Sequence, residues 1–91
     1  MKIIRISALW CMSCLVMRSR LDSTLKKLEI SHIEDLDFDE DSDKIKKYNP
    51  GSILPIIIIF INDKEVMRFN GEVSKKQLEK ALKEVRDEVI A

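Results

Sequence analysis

Glycine and proline are nearly missing from this sequence, with two of each in 91 residues. That excludes collagen-like and linker-like chains, which are built on those residues. Cysteine is equally sparse; two are too few for the disulfide frameworks that hold small secreted domains together. Neither charge is in surplus, since 16 Lys and Arg stand against 16 Asp and Glu for a formal net charge of +0. A general nucleic-acid binder carries a basic surplus, so no nucleic-acid partner is expected. Internal repeats, linkers and low-complexity tracts are also missing. What is there, 45% hydrophobic and 35% charged residues, is the composition of a folded rather than a disordered chain. The expectation is a single domain, 1–91, whose core stands without a metal or a disulfide framework.

One apolar stretch, Ile6 to Met17, follows Lys2 and Arg5 and has the outline of a signal peptide. It is too short to span a membrane, lacks a small-x-small cleavage site, and runs straight into Arg18 and Arg20. The expected setting is therefore the reducing cytoplasm, with no membrane partner.

The hydrophobic period then divides the chain. Ile3, Ile4 and Ile6 around Arg5 read as a short strand. From about Met12 the period lengthens: Met17, Leu21, Leu25 and Leu28 fall on one helical face. Ile33 to Phe38 is a second strand with imperfect alternation. The charge run Glu34 to Lys47, acidic first and basic later, reads as a solvated loop with a short helix over Ser42 to Tyr48. Asn49-Pro50-Gly51-Ser52 stops that helix. Ile56 to Ile61 is apolar without a break, as in a strand covered on both faces. Asn62-Asp63-Lys64 reads as a tight turn, with Glu65 to Phe69 returning as its hairpin partner. Ser74-Lys75-Lys76-Gln77 has the spacing of a capping box, and Leu78, Ala81, Leu82, Val85 and Val89 mark the buried face of a last helix. The order β-α-β-α-β-β-α predicts an α/β fold: a mixed four-stranded sheet with helices on both faces.

Chemistry concentrates in Trp10-Cys11-Met12-Ser13-Cys14, where the first strand gives way to the first helix. A helix N-terminus carries unpaired N–H groups and partial positive charge, which stabilise a thiolate. The spacing places Cys11 at the exposed end and Cys14 one turn inside, close enough to close a disulfide. Cys11 is then the attacking nucleophile, Cys14 the resolving thiol, and Trp10 an apolar shield and platform. Other readings of the two cysteines stand beside this one. A structural disulfide would close only a tiny loop. Zinc needs four ligands, and His32 is the one histidine, so a metal site would have to be shared across a dimer. Two inert core cysteines are the third.

In this order and spacing the sequence resembles the thioredoxin family. The resemblance rests on Trp10-Cys11-Met12-Ser13-Cys14, on Leu54-Pro55 before an apolar strand, on Phe60-Ile61-Asn62-Asp63 at the hairpin, and on Gly71-Glu72-Val73-Ser74-Lys75-Lys76-Gln77-Leu78 entering the last helix. It covers almost the whole chain. It implies a thioredoxin-like fold in a minimal version that begins at the central strand, nearer in length to glutaredoxin-like proteins. It also implies a cis Pro55 facing the cysteines, and a Leu54 backbone that pairs with bound substrate as an added strand. Several positions depart from the family pattern. Met12-Ser13 replaces Gly-Pro between the cysteines, and Ser19 stands where a helix-kinking proline is usual. Ile53-Leu54-Pro55 and Asn70-Gly71-Glu72-Val73 differ from the glutathione-binding motifs of glutaredoxins, so a glutathione site of that kind is not expected. Arg5 occupies the place of a buried family Asp beneath the second cysteine. The Lys that faces that Asp is replaced by Asp35. Either this pair has exchanged charges and tunes the cysteine pKa values, or Arg5 snorkels to solvent and Asp35 is a plain surface acid.

The resemblance therefore implies a thiol-disulfide oxidoreductase that reduces protein disulfides by a Cys11–Cys14 dithiol/disulfide cycle. No bound organic cofactor and no metal are expected. A flavin-dependent thioredoxin reductase or another dithiol protein would supply electrons, and the protein is expected to act as a monomer. Trp10, Met12, Leu54, Pro55 and Gly71 would form the substrate surface. The alternatives are a redox-inactive adaptor on the same fold and a zinc-binding dimer.

Overall fold

The computed structural model describes residues 1–90, with side chains through Glu88. The elements run β1 (Lys2–Ser7), α1 (Met12–Lys27), β2 (Ile33–Asp37), α2 (Ser42–Ile45), a 3₁₀ turn (Lys46–Tyr48), β3 (Ile56–Ile61), β4 (Lys64–Asn70) and α3 (Lys75–Ile90). The sheet order is β2-β1-β3-β4. β1 is parallel to β2 and antiparallel to β3, and β3 is antiparallel to β4. This is the mixed four-stranded sheet that the element order requires.

Alternation in the two central strands divides the core. Ile3, Ile57 and Ile59 pack with Met17, Leu21, Leu25 and Leu28 of α1 and Leu78, Leu82 and Val85 of α3. Ile4, Ile6, Ile56 and Ile58 turn the other way, toward Leu36, Leu54, Ile45 of α2 and both cysteines. Successive side chains on a strand point to opposite faces, so an unbroken isoleucine run fills both layers at once. Helices thus cover both faces of the sheet. No described helix is long and apolar enough to cross a membrane.

The ends of the elements follow local chemistry. The Gln77 N–H donates to Ser74 Oγ at 3.1 Å and the Ser74 N–H to Gln77 Oε1 at 3.3 Å, the reciprocal bonds of the expected capping box. The expected burial of Val89 lies outside the described side chains. At the hairpin, the turn is Asn62-Asp63 alone, both at positive φ (50° and 64°), and Lys64 belongs to β4. A two-residue turn with both φ positive matches the twist of the strands it joins, which a three-residue turn here would not. Register shifts at Ile59/Phe60, where Phe60 faces Glu65 and Ile59 faces Met67. That leaves Val66 bulged, a feature the apolar pattern did not announce.

Candidate active site

β1 ends at Ser7, and a short loop held by the Cys11 N–H to Ala8 carbonyl bond (3.2 Å) delivers Cys11 to the head of α1. Cys11 is the N-cap residue, with extended backbone (φ −96°, ψ 109°), and its Sγ accepts the Cys14 N–H at 3.1 Å. The sulfur thus does what a Ser or Asp oxygen does at an ordinary helix start. The first turn of α1 contains no acidic residue of its own, which leaves the positive end of the helix for the sulfur; the nearest carboxylate there is Glu72, whose Oε2 accepts from Ser13 Oγ at 3.5 Å. The Cα atoms of Cys11 and Cys14 stand 5.2 Å apart and the sulfurs are at disulfide distance.

The expected difference in exposure is corrected. Cys11 is 8% and Cys14 5% exposed, so both are covered. Ala8, Leu36 and Leu54 belong to the same buried cluster and cover them. What distinguishes the two sulfurs is the cap: Cys11 Sγ receives a helix N–H, and Cys14 lies within the first turn.

The other expected site residues fall around this pair. The Leu54–Pro55 peptide bond is cis, and Leu54 shares the cysteines' cluster. The Gly71 N–H donates to the Pro55 carbonyl at 2.8 Å. Gly71 has φ 83°, and a Cβ there would meet Ile53 Cγ2 at 3.1 Å. The loop after Gly71 is tied to α1, with Arg20 Nη1 donating to the Val73 carbonyl at 2.9 Å and the Val73 N–H to Met17 Sδ at 3.4 Å. Trp10 and Met12 are exposed on either side of Cys11. The Trp10 indole N–H donates to Asp39 Oδ2 at 2.7 Å, and the ring stands edge-on to Phe38 at 6.4 Å. This anchor went unread in the sequence, because Phe38-Asp39 carries no local signal that a tryptophan lies above it. Leu9, Leu15, Val16 and Ile53 extend the exposed apolar rim.

Arg5 is 4% exposed, so it does not snorkel. Its Nε and Nη2 donate to the two carboxylate oxygens of Asp35, its partner in the β1–β2 register. Its Nη1 donates to Asp22 Oδ1 at 2.7 Å. Burial by itself disfavours the cation, yet the bonds to Asp35 and Asp22 outweigh it, and the Arg5 pKa is raised. The hydrogen bonds from Arg5 hold the Asp35 carboxyl below the usual carboxylate range, against the opposing effect of partial burial. Asp22 is the member that sequence reasoning missed. Arg5 does not bond to Cys14: its hydrogen bonds end on the two carboxylates. Alternation explains this, since Arg5 shares its strand face with Ile3, whereas the cysteines pack with Ile4 and Ile6.

Among the described residues no group of three or more His, Cys, Asp and Glu side chains could hold a metal ion. His32 precedes β2 at the end of the sheet away from the cysteines, where its carbonyl accepts the Ile3 N–H.

A protein-family model described as Thioredoxin matches residues 1–84. Solved structures share the architecture. Thioredoxin 1 from the thermophilic eubacterium Thermosipho africanus TCF52B is 21% identical, with 100% of each chain covered and a TM-score of 0.86. Thioredoxin-2, described as a component of malaria parasite protein secretion machinery, is 23% identical over 90% of this chain and 80% of its own, with a TM-score of 0.81. Mitochondrial thioredoxin 3 from Saccharomyces cerevisiae, in its oxidized form, is 22% identical over 90% and 76%, with a TM-score of 0.77. At these identities the structural likeness is one of fold. A search of curated protein sequences finds no match.

Proposed function

The chain belongs to the thioredoxin family, and on that premise we propose that it is a thiol-disulfide oxidoreductase that reduces disulfides of proteins. The observation that carries this reading is the cap geometry: Cys11 Sγ accepts the Cys14 N–H at the head of a helix with no acid in its first turn. Such a position lowers a thiol pKa and supplies a thiolate at neutral pH.

In the cycle, the Cys11 thiolate attacks one sulfur of the substrate disulfide. A mixed disulfide forms and the first substrate thiolate leaves. The released substrate thiolate takes up the Cys14 proton, and the Cys14 thiolate then attacks Cys11 Sγ. The Cys11–Cys14 disulfide forms, and the second substrate thiolate leaves. Two electrons pass from the dithiol to the substrate, and no bound cofactor enters the cycle. A flavin-dependent reductase or another dithiol protein in the cytoplasm restores the dithiol. Trp10, Met12 and the Gly71 loop offer apolar contact, and the Leu54 backbone beside Pro55 pairs with the substrate chain.

The test is the reduction of insulin disulfides with dithiothreitol as electron source. The wild-type protein accelerates precipitation of the insulin chains, and Cys11→Ser removes the acceleration. An absence of acceleration by the wild-type protein overturns the reading and favours an adaptor with idle cysteines. Stoichiometric zinc in the purified protein would favour a metal-binding dimer.

A further inference from the structure

Seven of the sixteen acidic residues fall between positions 34 and 43, a segment with no Lys or Arg. The charge balance of the whole chain hides this. The segment forms β2 and the approach to α2, on the β2 side of the cysteine pair. Between it and the head of α1 lies an open cavity of about 400 Å³ that reaches Cys14. Leu9 and Leu15 line it, and they are 92% and 59% exposed. Asp35, Asp37 and Asp41 line it too, against the single guanidinium of Arg18. Asp35 is already taken by Arg5, and Arg18 leans toward Asp35 at 4.0 Å. Among the described residues the carboxylates of Asp37 and Asp41 accept only backbone N–H groups of their own loop, and no cation is paired with them.

Exposed leucines beside a reactive pair lose water when covered, and unpaired carboxylates around them select the charge of whatever covers them. We propose that this cavity docks an apolar side chain of a protein substrate whose flanking residues are Lys or Arg, next to the disulfide to be reduced. The proposal deepens the reductase reading and rests on it for the chemistry: the cavity is lined by Cys14, and the attacking Cys11 lies beside it, Cα to Cα at 5.2 Å. An acidic partner would meet Asp37 and Asp41 with like charge, and a wholly polar one would leave Leu9 and Leu15 in water. The complement is therefore both apolar and basic.

Two disulfide-linked peptides test this, identical except that Lys or Glu flanks a leucine next to the cysteine. The Lys peptide is reduced with a kcat/KM about fivefold or more above the Glu peptide at low salt. The ratio falls toward one at high salt. Asp37→Asn with Asp41→Asn keeps the hydrogen-bond acceptors of the loop and collapses the ratio. Equal kcat/KM values for the two peptides overturn the proposal. A second measurement does not depend on turnover. A cysteine-free copy of the Lys peptide is titrated into the oxidised protein, and backbone amide shifts are followed by NMR. Shifts centred on Leu9, Cys14, Leu15 and Asp37 support the site. Shifts elsewhere, or none, overturn it. Hydroxyethyl disulfide, too small to need the cavity, reports separately on redox competence. Its non-reduction sinks the reductase reading, while the NMR titration still decides the docking site.

Discussion

Arg5 and Asp35 are neighbours in the β1–β2 register, and the guanidinium closes on both oxygens of the carboxylate, Nη2 to Oδ2 at 3.0 Å. The cation is buried and the carboxylate half-exposed. Asp22 of α1 binds the remaining guanidinium arm. The group is therefore a closed cluster whose outer member, Asp35, lines the same cavity as Cys14.

The first prediction is that the charge of this cluster is felt at Cys14 through Asp35, which lines the same cavity. Arg5→Leu removes the main counter-charge of Asp35 and Asp22 and leaves Asp35 only the longer contact with Arg18 at 4.0 Å. A Cys14 thiolate is then disfavoured, and the reduction potential moves to more negative values. Asp35→Asn removes a negative charge and moves the potential the opposite way. Shifts on the order of 10 mV are expected, measurable against a glutathione or dithiothreitol buffer. If both variants keep the parent potential within error, the cluster is structural only.

Acid stability depends on the same pair. Asp35 titrates lower in the folded chain than unfolded, where an Asp has a pKa of about 3.9. Its contribution is fully present above that unfolded value and is lost as the pH falls through the folded value. Asp35→Asn flattens this part of the acid limb below about pH 4. It costs roughly 1–3 kcal/mol near neutrality, because the buried Arg5 loses the carboxylate that takes two of its arms and keeps Asp22. Urea unfolding across this range checks both; an acid limb unchanged by the substitution contradicts the assignment.

With the pair reduced, Cys11 is alkylated before Cys14 at mildly acidic pH. It holds the cap position, where the helix N–H groups favour its thiolate. Cys14→Ser still attacks substrate but does not resolve, so a mixed disulfide through Cys11 accumulates and is seen by mass spectrometry. Equal alkylation rates at the two sulfurs would reject the order of attack.

Gly71 is tested by Gly71→Ala. The contact with Ile53 Cγ2 at 3.1 Å is the smaller difficulty, since Ile53 is exposed and can swing away. The φ of 83° is the larger one, and the loss is roughly 1–2 kcal/mol. The melting temperature falls by several degrees in a chain of this size. Gly71→Asn costs less than Gly71→Ala, because Asn enters left-handed backbone more readily. Equal losses for the two variants would point to the contact instead.

Local signals were enough for the frame of this protein. The isoleucine run at 56–61, the helical spacing of Met17 to Leu28 and the Ser74–Gln77 box each act within a few residues, where hydrogen bonding and periodicity are legible. The cysteine pair at the strand-to-helix junction belongs to the same class, because a cap is a local device. Only the tertiary structure decided how that pair is covered and what stands around it. Asp22 meets Arg5 across 17 positions and Asp39 meets Trp10 across 29. No period or motif joins residues at those separations. The same holds for the acidic wall beside Cys14: in the chain it is a solvated charge run, and it borders the cysteines only because β2 lies parallel to β1. The physical reason is that strand pairing and layer packing bring together side chains whose sequence neighbours carry no record of the encounter.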